Sequence, residues 1–397
     1  MRLPLILILP VLIIGILVDW YIIHAIGSRC RKMPRLWRGI ALALAIICQG
    51  ALIVAICWPK KSADDDGLQA IMWVLFAYFS VYVPKYIFCI FDLLGSIPVL
   101  LHRKRIRPLS ICGIVLAVIS FVAMWWGALI NRFNIDIRRV EITDSRLPAA
   151  FDGMTIAQIS DIHTGTYDND TTFLSRLVTT INELHPDMIV FTGDIVNRRT
   201  SELEPFVPVL SKLHAPMGVY SILGNHDYGD YFDWPDYSSK AANMALMDSL
   251  QAKMNWQLLR NQTAWLRCGS DSIALVGVEN VGDPPFHIYG DLPASYPGSL
   301  SDDVFKILLS HNPAHWVADI KDNTSTQIAL TLSGHTHAMQ MEAFGISPAA
   351  FRYPTWGGMY SDPDSLRRLY VNIGIGEVGI PARIGATPEV TLFTLRK

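Results

Sequence analysis

The chain opens with four long apolar runs, about Leu3–Gly27, Gly39–Trp58, Leu68–Leu101 and Leu109–Ile130, and changes after residue 132 to short alternating runs. Each apolar run reaches the roughly 20 residues an α-helix needs to cross a hydrocarbon core. None carries the polar stripe that a buried soluble helix would show. Residues 1–132 are therefore expected to form a membrane region of about four helices. A cleaved signal peptide would explain only the first run, and Arg29, Arg31 and Lys32 stand where a small-residue cleavage site would lie. The third run holds Pro84, Lys85 and Asp92. One kinked helix is the expectation; the alternative, two short segments, would invert everything downstream. Asp19, Lys85 and Asp92 lie within apolar runs and are functional candidates by default. An ion pair inside the bundle, or snorkelling near a helix end, is the expected reading.

A linker over about Asn131–Arg139 leads onward, with residues 133–153 read as linker and first strand. From 154 to 397 the pattern is that of an α/β domain. Thr155–Ser160, Met188–Thr192, Val219–Leu223, Ile273–Val278, Lys306–Ser310, Ile328–Leu332, Leu369–Ile373 and Glu389–Leu395 are rich in β-branched residues and read as strands. Phe173–Leu184, Pro205–Leu213 and Ala241–Met254 are amphipathic and read as helices between them. Such alternation predicts helices packed outside sheets.

Charge divides the chain the same way. Residues 1–132 carry 14 Lys+Arg against 5 Asp+Glu, and the remainder carries 19 against 30 with nine of the eleven histidines. An acidic second part excludes binding to nucleic acid through a basic surface, so no nucleic acid is expected as a stable partner. A mean hydropathy of +0.29 excludes a disordered chain. Loop one (Arg29, Arg31, Lys32, Arg35, Arg38) and loop three (Arg103, Lys104, Arg105, Arg107) are basic, whereas loop two mixes Lys60 and Lys61 with Asp64, Asp65 and Asp66. Basic loops stay cytoplasmic. The expectation is a multi-pass cytoplasmic-membrane protein whose large second part faces outward. Five of the six cysteines lie in or beside the apolar runs, and Cys268 alone lies in the second part, so that part has no internal disulfide.

The polar ligands fall in a pattern. Asp161 and His163 follow the first strand as D-x-H, and Asp194 ends the second in T-G-D. Asn225 and His226 end the third in G-N-H-D, His311 ends the fifth, and His335 and His337 end the sixth in G-H-T-H. Strand C-termini are where sites gather in α/β sheets. Carboxylate, imidazole and amide oxygen suit Mn, Fe or Zn. With His226 set aside, seven groups are too many for one ion, and two ions about 3.5–4 Å apart sharing a carboxylate would use them. Each motif alone is more often a turn or a surface loop; the ordered set is hard to explain structurally.

The series D-I-H, G-D, G-N-H-D, H, G-H-T-H resembles the calcineurin-like metallophosphoesterases over about Met154–Leu395, and the tail N-I-G-I-G…P-A-R-I-G-A-T-P-E-V-T-L resembles exported or membrane-attached bacterial phosphodiesterases of that superfamily. The resemblance implies a four-layer αββα sandwich and two divalent metals. One would be held by Asp161, His163, Asp194 and His337, the other by Asp194, Asn225, His311 and His335. His226 would assist the leaving group, with Asp227 orienting its ring. Asn197 stands where many relatives have an acidic residue. The expected reaction is hydrolysis of a phosphoester, a diester before a monoester, by a hydroxide bridging the metals. Tethering alone makes a lipid-linked phosphate a candidate substrate, beside membrane lipids as surroundings. The alternative is a membrane receptor or transporter using a degenerate domain to bind. Tyr228, Tyr231, Phe232, Trp234, Tyr237 and Phe286 are candidates for covering an acyl or sugar group or, equally, for ordinary loop packing, with Trp356, Gly357 and Gly358 as another wall.

Overall fold

A computed structural model describes residues 5–29, 35–59 and 65–397. Arg31, Lys32, Lys60, Lys61 and Asp64, used above for orientation, lie outside the described residues. Two compact units form, one over Met1–Leu129 with Gly379–Ala382, the other over Ile130–Val378 and Arg383–Lys397.

The first unit is helical: α1 (Leu5–Arg29), α2 (Arg35–Cys57), α3 (Asp65–Leu100) and α4 (Arg107–Leu129). Among the described residues three helices are long and apolar enough to cross a membrane (Arg35–Cys57, Asp66–Leu100 and Arg107–Phe133), with a shorter apolar stretch at Leu9–Ala25. Side chains such as Ile46, Ile47, Val118 and Ile119 are more than half exposed on the helix flanks, as lipid-facing residues are. The third run is one continuous helix of 36 residues with Pro84 and Pro98 inside it, not two segments. Its charges are paired. Lys85 Nζ lies 2.7 Å from Asp19 Oδ1, and Tyr82 donates to Asp19 Oδ2 at 2.6 Å. Asp92 is bonded by Arg105 and by the Tyr21 hydroxyl. Each carboxylate thus has a cation and a hydroxyl, as an ion at membrane depth requires.

The second unit contains two six-stranded sheets. Its elements in order are β1 (Asp136–Thr143), β2 (Thr155–Ile159), α5 (Thr172–Glu183), β3 (Met188–Phe191), α6 (Val207–Leu210), β4 (Val219–Ser221), α7 (Tyr237–Lys253), β5 (Trp256–Leu258), β6 (Gln262–Cys268), β7 (Asp271–Gly277), α8 (Leu292–Ser295), β8 (Lys306–Leu309), β9 (Ile328–Ser333), β10 (Gly358–Ser361), β11 (Arg368–Val371) and β12 (Glu389–Arg396). One sheet runs β1-β12-β2-β3-β4-β5, the other β10-β11-β9-β8-β7-β6. Ile156, Val190, Ile222, Leu275, Ile307, Leu330 and Phe393 meet in the fully buried core between them. Leu174, Leu177 and Ile181 of α5 and Met247 of α7 cover the first sheet, and Leu292, Trp316 and Ile320 cover the second. This is the expected sandwich of two sheets between helical layers. The apolar period of α5 explains its place: Leu174, Leu177, Val178 and Ile181 fall on one face at helical spacing.

Strands β2, β3 and β4 are parallel neighbours, as are β8 and β9. Parallel pairing sends all their C-termini to one edge of each sheet. The two edges are joined there: Gln158 donates to the Ser333 carbonyl at 2.9 Å, and the His335 N–H donates to Asp161 Oδ2 at 3.0 Å.

Three local expectations are corrected. The linker Asn131–Arg139 is mostly ordered, because β1 begins at Asp136 and pairs in parallel with β12 along eight residues. Its Arg138, Arg139 and Glu141 disguise an edge strand that is only half buried. Strands β5 and β6 were not legible, since Gln, Thr and Arg interrupt their apolar residues. The helix expected at Pro205–Leu213 is a 3-10 run, Thr200–Phe206, followed by a single α-turn; Pro205 and Pro208 remove two amide donors.

Candidate metal centre

At the shared edge the loops leaving β2, β3, β4, β8 and β9 bring the candidate ligands together. Asp161, His163 and His337 place one ligand atom each within 4.8 Å of one another, and so do Asp194, His311 and His335. Asp194 links the two groups: its Oδ2 lies 3.1 Å from His311 Nε2 and 3.7 Å from His163 Nε2. His337 Nε2 faces Asp161 Oδ1 at 3.3 Å and His163 Nε2 at 3.1 Å. Asn225 is brought to the same place through its neighbours: the His226 N–H donates to Asp194 Oδ1 at 2.8 Å, and a Cβ on Gly224 would sit 2.2 Å from that oxygen.

The backbone is strained to do this. Asp161, His163, Asp194, His335 and His337 all have φ between 50° and 74°. Side-chain-bearing residues seldom adopt that region, and such strain concentrates at functional sites. Of Gly193, Gly224 and Gly334, which stand where the ligand loops leave their strands, only Gly193 has a positive φ, at 96°. Gly334 is required for another reason, since a Cβ there would lie 1.9 Å from Ser160 Oγ and 2.3 Å from Asp161 Oδ2.

The donors fit divalent cations. His163 Nδ1 bonds the Val196 carbonyl at 3.1 Å and His311 Nδ1 bonds the Thr192 carbonyl at 2.7 Å. A carbonyl only accepts, so Nδ1 carries the proton and Nε2 turns a lone pair into the site, the arrangement metal-bound histidines use. His335 is reversed: Nε2 meets the Tyr353 hydroxyl at 3.0 Å and Nδ1 faces inward, 3.3 Å from His311. Asn225 donates to the Tyr231 hydroxyl at 3.0 Å, and its Oδ1 is buried without any hydrogen-bond partner. A buried acceptor left open in this way is suited to a cation. Behind His337, Arg383 Nη2 lies 3.2 Å from its Nδ1, and Nε2 faces the site.

Electrostatics agree with that chemistry. Burial opposes the charge of Asp161, yet the neighbouring His337 and His311 hold its carboxyl well below the usual range. Asp194 is likewise held low despite burial, chiefly by His311 and His226. Burial opposes a charge on His311 too, but the Asp194 carboxylate pushes it up to about 9, so a cation at Nε2 takes the place of the proton that faces Asp194. Burial and the His311 charge push His335 down to about 3. Both carboxylates are thus anionic at neutral pH and ready for cations.

His226 stands at the rim, half buried, with Nδ1 bonded at 2.6 Å to the Asn197 carbonyl. Its ring lies 4.9 Å from that of His163 and 4.3 Å from that of Tyr231. Asp227 does not orient that ring, contrary to expectation. Its carboxylate accepts the backbone N–H groups of Asp194, Ile195 and Gly224 at 2.8 Å and of Val196 at 3.2 Å. The oxygens point into the loop after β3 and away from the imidazole, so Asp227 fixes the ligand loops instead. Burial and the Asp194 charge push its carboxyl up to about 7, against those four donors. The departure at Asn197 is harmless to His226, because the holding atom belongs to the backbone.

The aromatic candidates divide. Tyr231 and Phe286 flank the site, the latter edge-on to His335 at 4.8 Å. Tyr228 is buried and stacks on Tyr289 at 3.9 Å, Phe232 packs on Trp234 at 4.8 Å, and Tyr237 is exposed at the start of α7. Trp356 packs against Ala338, Ile373 and Ala386. Tyr353 and Arg383 were not anticipated. The arginine within P-A-R-I-G, the single basic residue between Arg368 and Arg396, was the available signal; Tyr353 had none.

Residues 1–132 match the transmembrane-domain family of calcineurin-like phosphoesterases, and residues 154–339 match the calcineurin-like phosphoesterase family. The chain is 36% identical over 263 residues to the metallophosphoesterase YkuE of Bacillus subtilis, covering 64% of this chain and 83% of that protein. It belongs to the calcineurin-like metallophosphoesterases. This metallophosphoesterase is also 33% identical over 302 residues to a bovine transmembrane protein with metallophosphoesterase domain (74% of this chain, 64% of that one). It is 29% identical over 304 residues to the UDP-2,3-diacylglucosamine pyrophosphatase LpxG of Chlamydia trachomatis, with 62% and 86% covered. It is therefore a membrane-associated phosphoester hydrolase.

Proposed function

We propose that this metallophosphoesterase hydrolyses a lipid-linked phosphoester with a doubly substituted phosphorus, a diester or pyrophosphate, on the outer side of the cytoplasmic membrane. The observation that carries the reading is the pair of ligand groups meeting at Asp194. Asp161, His163, Asp194 and His337 would hold one divalent ion, and Asp194, Asn225, His311 and His335 a second. Such ions supply Lewis-acid relief of phosphoryl charge and an activated water at neutral pH.

The chain's own residues supply the rest. The Asn197 carbonyl keeps His226 in one orientation, leaving Nε2 to carry a proton to the departing oxygen. Asp227 holds the loops bearing Asp194 and Asn225 in register. Tyr231 and Phe286 wall the site from bulk water.

The substrate class is supported by the membrane helices and by a relative named for a pyrophosphate of a diacylated sugar nucleotide. The complete donor set speaks against a degenerate binding module. The outward orientation is supported by basic Arg103, Lys104 and Arg105 between α3 and α4, with Arg107 opening α4, and by α3 being a single helix. The test is to screen the detergent-solubilised full chain with Mn²⁺ against lipid, nucleotide and sugar diesters and pyrophosphates. Turnover confined to lipid-linked members supports the reading. Failure on every member, including a generic aryl phosphodiester, would leave the binding module. A reporter fused after Lys397 that is active only in the cytoplasm would reject the orientation.

A further inference from the structure

Just beyond His337 the chain builds a feature that the metal centre does not use. Ala343 and Ile346 exchange two N–H···O bonds of 3.0 Å, closing a two-residue hairpin with Phe344 and Gly345 at its tip. The tip residues have φ of 54° and 76°. Primed turns with that backbone favour Asn-Gly, a polar pair. Here the first place holds a phenylalanine, and it is completely exposed, at 104%. Ile346 is 72% exposed and Phe351 97%. Met339 and Met341, on the approach, are also exposed. A phenylalanine offers on the order of 150–250 Å² of apolar surface. Exposure of several large apolar side chains in one short segment marks a contact surface rather than ordinary scatter.

The segment is bracketed by the site. Ser347 Oγ donates to the carbonyl of Ala338, next to His337, at 2.6 Å, and Tyr353, two residues past Phe351, holds His335. Glu342 is the single charged residue from 339 to 351, and it lies 3.8 Å from Arg138.

We propose that the Ala343–Ile346 hairpin and Phe351 form a wedge that enters the headgroup–acyl boundary of the bilayer carrying the chain. Lipid is the occupant, and two observations select it. Only six residues separate α4, ending at Leu129, from β1, starting at Asp136, so the second unit is tethered to the bilayer by a short connection. The segment presents apolar side chains with its one charge beside a cation, which suits hydrocarbon better than the polar rim of a protein interface. The wedge would keep the mouth of the site at the lipid surface, whichever phosphoester is hydrolysed.

The full chain carrying a benzophenone side chain at Phe344 or at Phe351 is reconstituted into phosphatidylethanolamine–phosphatidylglycerol vesicles and irradiated. Adducts are identified by mass spectrometry. Tyr237, 86% exposed on α7, carries the same group as reference. Lipid adducts several-fold above that reference at both positions are expected. Yields at the reference level, or adducts to a second copy of the chain in place of lipid, would overturn the wedge. The readout needs no turnover, so its failure is distinct from failure of the proposed activity.

Discussion

The Asp227 carboxylate accepts the backbone N–H of Asp194 at 2.8 Å. It therefore acts on the metal centre through the chain, not through the adjacent imidazole. Asp227→Asn replaces one acceptor oxygen with an NH₂ that opposes backbone donors. Leaving buried N–H groups unpaired costs about 1–3 kcal/mol, so a lower melting midpoint and reduced metal content are expected together. Differential scanning fluorimetry and elemental analysis check this. Normal stability with normal metal content would refute the loop-holding role.

Asp194 touches both ligand groups. Asp194→Asn is expected to lose metal and nearly all activity. Full Mn, Fe or Zn occupancy with normal turnover would dismiss it as the shared ligand.

His226 is tied to its loop through Asn197 and stands apart from the two ligand groups. His226→Ala should keep its metal and slow turnover by about a hundredfold or more, a general acid's share. Loss of metal in this variant would make His226 a ligand after all.

Tyr353 holds the outer nitrogen of His335. Tyr353→Phe removes that bond with little change in shape. Partners of this kind contribute roughly 10–100-fold in metal affinity, so weaker retention of one ion is expected in chelator competition. Equal retention by variant and parent would show that the bond leaves the ligand unaffected.

Asp144 accepts two bonds from the Arg146 guanidinium at 2.9 and 2.6 Å, one from the Arg146 backbone N–H at 3.0 Å and one from Arg368 at 3.0 Å. Burial opposes its charge, but these arginines hold its carboxyl below the ordinary 3.8. A depressed folded-state value stabilises the fold above the ordinary one, and the contribution is lost as pH falls through the folded one. Asp144→Asn should thus lower stability at pH 7 by about 1–3 kcal/mol and flatten the acid limb of the melting-midpoint profile. An unchanged limb would remove Asp144 as its source.

Much of this protein was written in local pattern. Runs of about 20 apolar residues must become membrane helices, and short β-branched runs ending in Gly, Asp or His must become strands with ligands at their ends. Both signals have a fixed period or a fixed neighbour, so they survive in one dimension. What depends on distant partners did not. The pairing of β1 with β12 joins residues some 250 positions apart, and its charged edge disguised it. The carbonyl of Asn197 has no side-chain signature, and Tyr353 looks like any loop tyrosine. Asp227 stands beside His226 in sequence, but the turn after β4 aims its carboxylate at amides of another loop. The strained φ angles of Asp161, His163, Asp194, His335 and His337 exist only because two sheets meet there. Residue types at strand ends set what chemistry was available; the long-range contacts that fold the loops decided which atom each group presents.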